Sequence, residues 1–60
     1  MPLYTVETHE SHDLLTLEAC NNQLQAETLY LQSLQSLQIG QTILLVQAPQ
    51  NILKTHTKRA

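Results

Sequence analysis

The run Asp13-Leu14-Leu15-Thr16-Leu17-Glu18-Ala19-Cys20-Asn21-Asn22-Gln23-Leu24 begins the leucine-patterned segment at the centre of the chain, on which the fold class turns. Leu14, Leu17, Leu24 and Leu31 recur at helical spacing, and Cys20, Leu34 and Leu37 join the same stripe. This pattern predicts one long amphipathic helix ending near Leu37 or Gln38. Ser11 is the expected N-cap, with Asp13 where a helix dipole favours negative charge. Gly40 is the expected residue just past the helix end, free to take a left-handed conformation. Such a helix would run about 39 Å, whereas a globule of this size is only about 27 Å across. Either the helix breaks at Asn21-Asn22, whose short polar side chains compete for backbone hydrogen bonds, or it projects and is covered by a second subunit.

Working outward, Pro2-Leu3-Tyr4-Thr5-Val6-Glu7 mixes β-branched and aromatic residues in rough alternation and predicts a short strand. After Gly40, residues 41–47 (Gln-Thr-Ile-Leu-Leu-Val-Gln), closed by Ala48-Pro49, predict a second strand buried on both faces. Gln50 to Lys54 is expected to add a turn of helix, leaving residues 55–60 as a basic flexible tail beyond a single small domain of residues 1–54. The fold class expected is therefore α/β or α+β, a minimal strand-helix-strand unit with parallel strands joined by a right-handed crossover. Two strands alone are marginal in water. Pairing of edges between chains would complete the sheet. The alternative is an all-α helical hairpin in which residues 41–47 form a second helix.

Length and composition press in the same direction. A 60-residue domain hides only about 60% of the surface its unfolded chain exposes, and such domains lean on disulfides, metals or oligomerisation. Cys20 is the sole cysteine, which excludes an intrachain disulfide. With no Phe or Trp, twelve leucines and two tyrosines, Tyr4 and Tyr30, must make the core, and such a core specifies a monomer poorly. The first ten residues lack the basic and apolar regions of a secretory signal, and Ile43-Leu44-Leu45-Val46 is too short to span a bilayer. A cytoplasmic protein with no membrane partner is expected. Net charge is -2, with Glu7, Glu10, Asp13, Glu18 and Glu27 in the first half and Lys54, Lys58 and Arg59 at the end. This split favours head-to-tail contacts between copies if it is more than ordinary surface charge.

Residues 31–38, Leu-Gln-Ser-Leu-Gln-Ser-Leu-Gln, repeat a three-residue unit whose leucines form an oblique ridge on a helix, unlike a straight coiled-coil seam. His9 and His12, with Glu7, Glu10 and Asp13, supply zinc-type donors. The His-Glu-Ser-His spacing is one residue short of the H-E-x-x-H pattern, and Cys20 and His56 are remote, so no metal or other cofactor is expected. Cys20 has no neighbouring cation to lower its pKa and reads as a small core residue. Lys54, His56, Lys58 and Arg59 offer a thin basic patch for phosphate, which makes a weak nucleic-acid-binding regulator an alternative function and nucleic acid a disfavoured partner.

An enzymatic alternative rests on Met1-Pro2-Leu3-Tyr4-Thr5-Val6, the chain length and the strand-helix-strand order, which resemble the 4-oxalocrotonate tautomerase family. The resemblance implies removal of Met1 and use of the amine of Pro2 as a base. Where that family carries substrate-binding arginines, this chain has His12 and Gln41, with no cation before Lys54. The reading that the residues favour is a small non-enzymatic interaction or regulatory protein, with no catalytic residues. It would act as a homo-oligomer or as an adaptor for another protein, through the Leu/Gln-rich helix and strand edges. The contact residues expected are Leu24, Tyr30, Leu31, Leu34 and Leu37, with Tyr30 as the anchor.

Overall fold

The computed structural model describes residues 3–60 and is α+β. Its elements are β1 (Tyr4–Glu10), β2 (Asp13–Cys20), α1 (Gln23–Gln35), β3 (Gln41–Gln47) and β4 (Asn51–Thr57). The strands form a single sheet in the order β2-β1-β3-β4, with every neighbouring pair antiparallel. Among the described residues there is no parallel crossover. The α1 segment links two hairpins, and the sheet reaches four strands within one chain.

The largest departure from the sequence reading is at residues 13–20. Leu, Glu and Ala favour helix there, yet the segment pairs along β1 from Tyr4↔Cys20 to Glu10↔Asp13. Pairing and packing override a propensity that amounts to tenths of a kcal/mol per residue. Ser11 is not a helix cap. With His12 it forms the two central residues of the β1–β2 turn, at φ 49° and 74°. Positive φ at both positions suits the right-handed twist of a two-residue hairpin, and Asn-Gly is the usual pair there. A bulge between Thr8 and His9 leaves Leu15 as the extra residue on β2.

Asn21-Asn22 marks the start of the helix, not a break within it. Asn22 is extended (φ -137°) and its Oδ1 accepts the Gln25 N–H at 2.7 Å. That bond satisfies one of the four free N–H groups at a helix start. The helix stops at Gln35, where Ser36 caps it, so its length is about 20 Å and the conflict between a long rod and a small globule disappears. Gly40 does take positive φ (90°), but in the Gln38–Gln41 turn closed by Gln41 N–H to Gln38 O at 3.0 Å. Glycine at the third position is what a type II turn asks for.

Strand β3 runs over Gln41–Gln47, the segment read as a strand from its β-branched run. Beyond the Ala48–Pro49 turn, whose peptide is cis, Asn51–Thr57 is a fourth strand instead of a helical turn and a loose tail. The threonines and Ile52 favour this, and β3 offers a free edge to pair with.

One face of the sheet packs under α1. Tyr4, Val6, Cys20, Ala26, Tyr30, Leu37, Ile43 and Leu45 are buried together, with Leu29 and Leu34 partly buried against them. Only Ile43, Leu45 and Ala26 are wholly enclosed. Tyr30 and Leu37, two of the expected contact residues, are used in this core.

Candidate functional site

Side chains alternate across a sheet, so the residues that do not face α1 can be read from the register. Thr5, Glu7 and His9 lie on β1. Their partners are Ala19, Leu17 and Leu14 on β2, and Val46, Leu44 and Thr42 on β3. Ile52, Thr55 and Thr57 of β4 complete this second face. No layer covers it among the described residues. Leu14 and Leu17 are about half exposed (51% each) and Ile52 is 58% exposed. Antiparallel sheets often leave one face to water, but that face is then normally polar. Here two apolar rows flank a polar one.

The polar row is internally satisfied. Glu7 Oε2 accepts the Thr5 hydroxyl at 3.1 Å, and Glu7 Oε1 lies 3.0 Å from His9 Nε2. A carboxylate already holding both partners loses less on leaving water than a bare one. Thr5 and Glu7 lie in the strand read from residues 2–7, whereas His9 falls beyond it; the alternation of Tyr4, Val6 and Thr8 with Thr5, Glu7 and His9 is the signal that extends the strand.

Both outer strands are open. Strand β2 carries Asp13 and Glu18, whereas β4 carries Lys54 and His56 and leads into Lys58 and Arg59. Lys54 sits on the helix side, its Nζ 5.9 Å from the centre of the Tyr30 ring. Burial pushes the Tyr30 hydroxyl above its usual ionisation range. Glu18 is also on the helix side, lining a groove with Thr8, Thr16, Leu29 and Ser33.

The expected contact residues fall into two sets. Leu24 and Leu31 stand exposed on the outer side of α1 (77% and 55%), and Leu34 is half-buried. Tyr30 and Leu37 point into the protein and belong to its core. Cys20 is buried beside Tyr4. His12 lies in the β1–β2 turn. Among the described residues no three His, Cys, Asp or Glu side chains gather closely enough to hold a metal ion. Among them, too, no helix is long and apolar enough to cross a membrane. Pro2 lies outside the described residues, and the strand-helix-strand order shared with the tautomerases is replaced here by a hairpin before the helix. No protein-family model matches the chain, and neither a curated protein nor a solved structure matches it.

Proposed function

We propose that this is a small non-enzymatic interaction protein that works as a homo-oligomer, using the uncovered sheet face and the strand edges. The observation that carries this is the apolar character of a face with no covering layer: Leu14, Leu17, Leu44, Val46 and Ile52 around the Thr5-Glu7-His9 row. Apolar sheet faces are stable when a second layer covers them. The chain exposes 4299 Å², somewhat more than the roughly 3,950 Å² usual for its mass. An interface of standard size takes about 800 Å² from each partner. That is under a fifth of this surface. A second copy fits because it brings the same apolar rows and a Glu7 that already has its hydrogen-bond partners.

The test is sedimentation equilibrium of the intact chain over a wide concentration range, with Leu17→Gln/Leu44→Gln as the comparison. The expected result is an oligomer for the natural sequence and a lower average mass for the variant, with circular dichroism unchanged. A natural sequence that stays monomeric throughout overturns the reading, as does a variant of undiminished mass.

A further inference from the structure

We propose that copies of this chain join head to tail, β4 of one adding antiparallel to β2 of the next, in the register that sets Lys54 against Glu18 and Lys58 against Asp13 of the neighbouring copy. This deepens the self-assembly reading above and rests on it.

Strand direction permits the join. Strands β2 and β3 each run antiparallel to β1, and β4 runs antiparallel to β3, so β4 and β2 point in opposite directions. A copy displaced sideways along the sheet, with its helix on the same face, therefore presents β2 antiparallel to the first copy's β4. The extended order is β2-β1-β3-β4-β2-β1, antiparallel throughout.

The register follows from the rungs of the sheet. One rung crosses it as Glu18, Val6, Leu45 and Lys54, and the next on the same face as Thr16, Thr8, Ile43 and His56. The last runs through Asp13, Glu10 and Gln41 to Lys58, whose N–H donates to Gln41 O at 3.0 Å. Continuing each rung into the next copy brings Lys54 to Glu18 and Lys58 to Asp13. On the opposite face Ile52 meets Ala19 and lies beside Leu17, so two exposed apolar side chains are covered by the same step.

Hydrogen-bond parity agrees with this register. Because the Lys58 N–H points inward to β3, alternation turns the N–H and C=O groups of Thr57 and Thr55 outward. Leu3 O accepts from Ala48 on the β3 side, so Tyr4 and Val6 bond towards β2, which leaves Leu17 and Ala19 with outward groups. The rung that pairs Glu7 with Leu17 and Leu44 with Thr55 puts these outward-bonding residues opposite each other. Lys54 and Glu18 then occupy a non-hydrogen-bonded pair, the position where facing side chains come closest.

Charge also selects between ways of pairing. A two-fold β4–β4 junction would set Lys54, His56 and Lys58 of both copies together, and a β2–β2 junction would gather Asp13 and Glu18 with their duplicates. Like charges facing across strands are unfavourable, whereas the β4–β2 junction pairs opposite ones. A head-to-tail junction leaves a fresh edge after every addition and gives rings or filaments in place of a closed dimer.

Two experiments decide it. In the first, Lys54→Glu and Glu18→Lys are each compared with the double exchange by sedimentation equilibrium in low salt. Each single reversal should lower the average mass by at least a copy, and the exchange should restore it. In the second, Leu17→Pro closes the β2 edge and Thr55→Pro the β4 edge, at positions whose N–H groups point outward, where proline is tolerated. Made in the Leu44→Gln background, which weakens packing through the open face, each should be a folded monomer alone, and mixing should give a one-to-one pair. Self-association of either proline variant alone would establish a two-fold junction and overturn the proposal. An oligomer indifferent to the charge reversals would overturn it while leaving self-assembly standing. A monomeric natural sequence would overturn both and assign the edge charges and bulges to keeping strands apart.

Discussion

Lys54 holds its ammonium 5.9 Å from the centre of the Tyr30 ring, so a residue of the outermost strand closes over an aromatic side chain of the helix. Tyr30 is 6% exposed and its hydroxyl is pushed up by burial. A hydroxyl raised in the folded state contributes stability that is whole below its ordinary value of 10.0 and is lost as pH climbs through the folded value. Urea midpoints should therefore fall above pH 10, and Tyr30→Phe should remove part of that fall while leaving the neutral-pH midpoint little changed.

The β1–β2 turn is strained at two adjacent residues, Ser11 and His12, both at positive φ. Replacing them with Asn-Gly puts a residue that tolerates the left-handed backbone at the first position and removes the Cβ at the second. A gain of about 1 kcal/mol is expected, which in so small a domain raises Tm by about 4–8 °C. A thermal melt followed by circular dichroism would show it.

Asn22→Ala takes away the acceptor of the Gln25 N–H. The expected cost is about 1 kcal/mol, with Asn22→Asp or Asn22→Ser close to neutral. Chemical denaturation of the three variants separates the loss of the cap from a general effect of substitution.

Leu45 and Leu24 are opposite cases. Leu45 is fully enclosed between β1, β4 and the helix, so Leu45→Ala should cost about 2–5 kcal/mol, a large part of the stability of a 60-residue domain. Leu24 is 77% exposed, and Leu24→Ala should stay within about 0.5 kcal/mol. Denaturation midpoints for the pair test whether the core lies where the burial places it.

The class of fold was legible because β3 announces itself: Thr42, Ile43 and Val46 are β-branched and Ala48-Pro49 closes the run. The start of β1 was legible for the same reason. Strand β2 was not, because Leu14, Leu17 and Cys20 satisfy a helical stripe while Leu15, Leu17 and Ala19 satisfy a strand, and the turn at Ser11-His12 lacks the Asn-Gly signature that would have decided between them. Leu24 and Leu31 are exposed on the helix, whereas Tyr30, also on the helix, and Leu37, just past it, are buried in the core. The uncovered face could not be found while Asp13 to Cys20 was read as helix, since two of its three leucines, Leu14 and Leu17, belong to that segment.

The two hairpins, β1–β2 and β3–β4, are each closed by neighbouring residues, and only the β1–β3 pairing bridges the length of the helix. Hairpins form in about 1–10 μs, but bringing Glu10 to Gln41 costs about 3 kcal/mol of chain entropy before any rung repays it. Refolding should thus wait on one event, the meeting of two preformed halves. Substitutions along the β1–β3 seam, at Val6 and Leu45, should slow folding, whereas those confined to β4 should speed unfolding.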